Sequence, residues 1–211
     1  SQPKLEDAVA FATELRRRAA QFGRANNLPF IMNSLHSLIG SSEADVARRL
    51  KDKHEAIDYD QGRVKLADML GGHIDLSDLP LDKSLPENLL PEVTSINRRR
   101  GRVEVFRRYA REGLTLRQLI IEAQETGHWS IAGTPEQLVD AIEERFNTGA
   151  VDVLTLHGIG NPDQEDLLLN GLIPELRRRS LIDTDYIGSA FRANLELPAL
   201  SVATPSQARS A

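Results

Sequence analysis

Apolar residues recur every three or four positions near the start of the chain, at Leu5, Val9, Ala12, Leu15 and Ala19. That spacing gives a helix one apolar face, and Gly23 supplies the left-handed stop that helix ends favour. The pattern then shortens. An apolar centre at 29–39, bounded by Pro29 and Gly40, predicts a buried strand. Ser41 and Ser42 offer N-caps for a charged helix running to about residue 57, with Val46 and Leu50 four apart.

The same order of elements returns in "GHWSIAGTPEQLVDAIEERFNTGAVDVLTLHG", residues 127–158. Ile131 closes a short strand and Gly133 allows a tight turn. Thr134 caps the next helix, Pro135 takes its first position, and Gln137 completes a capping box. Leu138, Ile142 and Phe146 form the apolar stripe, Gly149 ends the helix, and 151–156 is the next strand. Strand, capped helix and strand in so few residues predict a parallel right-handed crossover. A last helix over about 164–179 carries Leu168, Leu172 and Leu176.

An interruption lies between these units, at about 59–126. A polar, loop-like stretch holding Pro80, Pro86 and Pro91 leads into two helices, "INRRRGRVEVFRRYAREG" and "TLRQLIIEAQ", the second with a Thr115-x-x-Gln118 box. It reads as a largely helical insertion. Residues 198–211, rich in Ala and Ser, read as a flexible tail, and the alternating apolar residues of 186–197 are expected to wrap back onto the body or onto a second subunit.

Three strands are too few for a parallel sheet that must be covered on both faces or closed on itself. The expected fold is therefore α/β: the C-terminal part of a (β/α)8 TIM-type barrel over 1–197, carrying the insertion, or a sheet completed by another chain. An open doubly wound nucleotide-binding domain is a weaker reading, because no Gly-x-Gly-x-x-Gly follows a strand.

Charge and composition narrow the function. A net charge of -5 and a pI near 5.6 argue against nucleic acid, as do aromatics at 5%. No apolar run approaches the roughly 20 residues of a spanning helix. The absence of cysteine removes thiolate chemistry and Cys-ligated zinc. The first 25 residues lack the build of a secretory signal, so a cytoplasmic location is the expectation.

The segments "QPKLEDAVAFATELRRRAAQFGR", "HIDLSDLPLDKSLPE", "GHWSIAGTPEQLVDAIEERFNTGAVDVLTL" and "LLLNGLIPELRRRSLIDTDYIGSAFRANLEL" together resemble the luciferase-like flavin-dependent monooxygenases, in the branch of the nitrilotriacetate and dibenzothiophene-sulfone enzymes. No single motif is specific; the order of the segments carries the resemblance, over about residues 2–197. It implies a two-component system in which a separate flavin reductase supplies reduced FMN, and the barrel uses it with oxygen on an organic substrate. It also implies that the family's first barrel strands and its serine-containing phosphate loop lie upstream of these residues. Most of the flavin site is then outside them, cofactor-binding positions stay unassigned, and the chain is expected to be inactive alone, partnered by the other half or by further copies. A non-catalytic subunit completing its sheet with another chain is the alternative.

Active sites of parallel barrels lie at the C-terminal ends of the strands. That rule selects His36, His128 and His157, in or beside predicted strands, where an imidazole can donate to a flavin peroxide or move a proton at neutral pH. The resemblance singles out His128 as the catalytic candidate, since Gly-His before the strand and the Gly-Thr-Pro-Glu turn fits the family's pattern. His36, His157 and Asn33, with Ser34 beside it, are candidates for a substrate pocket. No His-Glu-x-x-His spacing suggests a metal. Gly133 and Thr134 open a helix that could hold an anion, but capping explains them and Glu136 opposes phosphate. The arginine runs at 16–18, 98–100 and 177–179 read as solvated helix faces, and Trp129 as a buried side chain.

Overall fold

The structure, a computed structural model, describes residues 2–72, 74–90, 100–157 and 161–197. The expected tail at 198–211 and the start of "INRRR" lie outside the described residues. At the centre is β1 (Met32–Ile39), flanked by two parallel neighbours, β2 (Trp129–Gly133) and β3 (Val153–His157). The neighbours are staggered. β3 pairs with the first part of β1, from Met32↔Val153 to His36↔His157, and β2 with the last part, from Leu35↔Trp129 to Ile39↔Gly133.

Side chains hold that register at both ends. At the start, Asp152 N donates to Ile31 O at 2.9 Å and Asp152 Oδ2 accepts from Ile31 N at 2.8 Å; Arg16 of α1 (Leu5–Gln21) braces the carboxylate at 3.2 Å. Beyond the end of β3, the Gln164 side chain stands in for a strand residue. It accepts from Ile39 N and donates to Ile39 O, both at 2.8 Å, so that these backbone groups of β1 are satisfied.

Alternation divides the sheet into two faces. Leu35, Ile39 and Trp129 share one and are buried. α6 (Pro135–Asn147) covers it: Leu138 packs beside Gly133, and the Arg145 guanidinium lies 4.0 Å from the centre of the Trp129 ring, which is buried as expected. The other face carries His36, Leu38, Ser130 and Ala132, and faces α2 (Glu43–Glu55) across a cleft. Thr134 and Ser42 cap α6 and α2 as their sequences predict.

The crossover helices thus lie on opposite faces, and the strand order is β2-β1-β3. That is the order of a doubly wound sheet. In a sequentially wound barrel β2 would lie between β1 and β3, with every helix in one outer ring. Strand length fits the observed order: β1, with eight residues, lies in the middle, and the two five-residue strands, β2 and β3, each keep one free border.

The insertion builds a hydrophobic core of its own. The stretch after residue 58, expected to be loop, begins with a further helix, α3 (Tyr59–Met69), capped by Asp58 accepting from Asp60 N and Gln61 N. Its apolar stripe is sparse and Gly62 interrupts it, which is why periodicity missed it. Leu66 and Leu70 pack with Phe106 of α4 (Arg100–Arg111) and with Leu116, Leu119 and Ile120 at α5 (Leu116–Gln124), all fully buried. The proline-containing stretch adds Leu76, Leu85 and Leu90 to the same core, and Lys83 O accepts from Leu116 N at 2.7 Å.

The helix expected over 164–179 is broken into α7 (Pro162–Leu167), a π-helical turn Leu168–Leu172, and α8 (Ile173–Arg178). Pro174 is the cause: it has no N–H to give, and its ring conflicts with the carbonyl one turn earlier unless the helix widens there. The chain forms two compact units, Ser1–Glu175 and Leu176–Ala211. The second contains α9 (Phe191–Asn194), with Gly188 N donating to Asn194 Oδ1 at 2.8 Å, and leaves Tyr186, Ile187 and Phe191 exposed.

Gly62 faces Ile120 so closely that an added Cβ would overlap its Cγ2. Gly62→Ala is expected to destabilise the chain by about 1–3 kcal/mol through overpacking, despite alanine's better helix propensity. Urea unfolding measures it; a variant as stable as the parent would show that α3 does not pack here.

Candidate functional site

The stagger of the sheet builds the site. Because β3 ends level with His36 while β2 begins there, the last residue of β3, His157, and the residue before β2, His128, both arrive beside the His36 ring. The His36 and His128 rings stack with centroids 5.3 Å apart and planes 12° from parallel; His36 and His157 are 4.8 Å apart and tilted by 33°. Three of the four candidates therefore meet on one face. Asn33 alternates to the other face of β1 from His36 and is not part of the ring stack, but it meets one of the three: with Ser34 and His128 it lines a hollow of about 280 Å3 at the start of the strand.

The turn before β2 supplies the group that sequence reasoning missed. Thr126 (φ 55°) and Gly127 (φ 71°) both adopt left-handed backbone, reversing the chain so that His128 N donates to Glu125 O at 2.9 Å. Glu125 caps the C-terminal end of α5, and its side chain turns to His36, Oε2 lying 2.8 Å from Nδ1. Lys53 of α2 donates to the other carboxylate oxygen. Burial alone would raise the Glu125 pKa, but hydrogen bonds and charge from Lys53, then His36, hold it below the usual carboxylate range. An ionised carboxylate can only accept, so Nδ1 of His36 carries a proton, and in the neutral form of the ring the lone pair is then on Nε2.

A carboxylate at a helix C-terminus works against the macrodipole, and Glu122 one turn earlier adds a second. This unfavourable placement is the sequence signal that could have drawn attention to α5. Glu122 is pushed up by burial and by the charge of Glu125. His128 is pushed below the usual imidazole range, first by burial and then by the charges of His36 and Arg102.

Beside the histidines, a cleft of about 230 Å3 opens between the sheet and α2, walled by Leu38, Leu50, Ile57, Ile121 and Ala132 and edged by Lys53, His54, Glu122 and Glu125. Among the described residues no group of three or more His, Asp or Glu side chains is placed to hold a metal ion. Stacked imidazoles turn faces rather than lone pairs toward one another.

With the geometry in place, relatives can be set beside it. No family model matches the chain. The nitrilotriacetate monooxygenase component A of Aminobacter aminovorans is 32% identical over 209 residues, which is 98% of this chain and 45% of that protein. The chain is similar to part of the luciferase-like monooxygenases of the nitrilotriacetate branch. It spans less than half the length of the curated relatives it matches. Among solved structures, EDTA monooxygenase from Chelativorans sp. BNC1 superposes with a TM-score of 0.62 at 27% identity, covering 93% of this chain and 45% of that one. DmoA from Hyphomicrobium sulfonivorans gives 0.67 at 21% identity, covering 92% and 40%, a likeness of fold. The α/β architecture is thus that of part of a TIM-barrel monooxygenase.

The described residues do not fit the FMN that the resemblance implies. Both hollows at the sheet fall below the ~300–1,000 Å3 of ordinary cofactor sites. At the start of α6 the Thr134 and Gln137 side chains cap the backbone reciprocally, and Glu136 places negative charge in the first turn. A hollow of about 560 Å3 in the second unit sets Asp183 and Asp185 against Arg177, a poor match for a phosphate dianion. Neither place offers a phosphate cradle.

The depressed pKa of His128 makes a signed prediction. Its neutral form is favoured on folding, so its contribution to stability is complete above the ordinary value of 6.5 and is lost as the pH falls through the lowered folded value. Glu122, shifted upward, acts in the opposite sense, losing its contribution as pH rises. Comparison with His128→Gln cancels the Glu122 effect. Between pH 7.5 and 5 the parent Tm is expected to fall more steeply than that of the variant; equal slopes would place His128 in water.

Proposed function

We propose that this chain contributes part of a two-component, FMN-dependent monooxygenase, which takes reduced FMN from a separate flavin reductase and uses oxygen to oxidise an organic substrate. The observation that carries this reading is the similarity to nitrilotriacetate monooxygenase component A across almost the whole chain. The flavin supplies the oxygen chemistry when bound. This chain's residues supply a strand wall and a group of imidazoles able to hold or move protons, with His128 as the candidate nearest the reacting groups and His36 and His157 beside it. Flavin binding itself then falls to residues in the remaining length of the relatives, and this chain is inactive alone.

A second reading, a non-catalytic module that joins another chain, is favoured by a specific feature. Phe11, Phe30 and Met32 stand 47%, 54% and 67% exposed, and Phe11 and Met32 line the hollow at the start of β1. Both readings call for association, with a complementary barrel part or with further copies. No helix among the described residues is long and apolar enough to cross a membrane.

Calorimetric titration of the 211-residue chain with reduced FMN under anaerobic conditions tests the first reading. No stoichiometric binding is expected, nor any oxygen-dependent turnover once a nitrilotriacetate-type substrate and air are admitted. Saturable binding with turnover would overturn the assignment of flavin binding to residues elsewhere.

A further inference from the structure

The cleft beside His36 has a chemistry that flavin binding does not explain. Its walls are aliphatic: Leu38 and Ala132 from the sheet, Leu50 from α2, Ile57 beyond it and Ile121 from α5. Its charges are largely spent on one another. Lys53 and Glu125 form an ion pair, with the Glu125 side chain only 15% exposed, and Glu125 also holds His36. An anionic ligand would lose its hydration here and meet the carboxyl groups of Glu122 and Glu125, with Lys53 already paired to Glu125.

A neutral ligand meets different terms. Glu125 fixes Nδ1–H of His36, so in the neutral ring it is Nε2 that is left as an acceptor, on a side chain that is 26% exposed and lines the cleft. The ring is also held in place, stacked on His128 and crossed by His157. A held acceptor in an aliphatic hollow selects for an apolar body bearing one O–H or N–H donor.

We propose that this cleft binds a small uncharged amphiphile with a single hydrogen-bond donor, of the phenol type, which donates to Nε2 of His36 while its ring lies against Leu50 and Ile121. Glu125 is a positioning residue, setting the tautomer of His36, and Lys53 holds Glu125. The other titratable groups around the cleft are His54, Glu122, His128 and His157.

The test is a titration of the full chain with phenol, followed by 15N resonances of the His36 ring and methyl resonances of Leu50 and Ile121, at pH 7.5. Free His36 is expected as the Nδ1–H tautomer, with Nε2 shifting saturably as phenol binds. Toluene, which keeps the body and lacks the donor, should bind about fivefold or more weaker, the worth of one net hydrogen bond. Glu125→Gln should disturb the tautomer, which a purely structural ion pair would not do. Ala132→Leu should fill the cleft and abolish the shifts; if that variant fails to fold, Leu50→Phe serves the same purpose. Finding the Nε2–H tautomer, equal binding of toluene, no saturable shift at the cleft, or unchanged binding in a folded cleft-filling variant would each overturn the proposal.

Discussion

Everything in the sheet follows from one constraint: β1 is paired on both sides, and its two neighbours are out of step along it. Asp152 with Arg16 at one end and Gln164 at the other fix that stagger through hydrogen bonds to the backbone of β1's borders. A shift of one residue in either neighbour would turn its side chains to the opposite face. The histidine group would disperse with it, because His36 meets His128 and His157 only while β2 starts where β3 stops.

The insertion is more than an interruption of a barrel. Its leucine-rich core, centred on Phe106, makes α3, α4 and α5 a packed block, and the exit from α5 delivers Glu125 to His36 through a turn of two left-handed residues. Burial in one part of the molecule thereby sets proton placement in another. The energetic conflict of carboxylates at a helix C-terminus is offset at Glu125 by Lys53, a residue of a helix on the other side of the cleft.

Much of this was legible from residue pattern alone. Both capping boxes, Thr115 with Gln118 and Thr134 with Gln137, form as their spacing predicts, because they rest on local hydrogen bonds. The strands and α1, α2, α4, α5 and α6 were legible for the same reason. α3 was hidden because its apolar stripe is sparse and Gly62, which packs against Ile120, stands inside it. The break before α8 was written in Pro174 and outweighed by the leucine spacing. At the site, three histidines were visible and their meeting was not: a barrel rule based on strand ends places His157 but gives no reason for His128, at the start of β2, to stand beside it. Glu125 and Lys53 were out of reach, since their relation to His36 exists only once the strand order is known.

That strand order is also where the chain departs from the sequential winding of a barrel, while keeping the α/β fold of its relatives over most of its length. Amide hydrogen exchange of the chain alone tests it most directly. With β1 in the middle, every paired amide of β1 should exchange slowly, whereas β2 and β3, each with one free border, should show slow and fast amides in alternation. Uniform protection along β2, with alternation along β1, would mean that β2 is the central strand and would contradict the account.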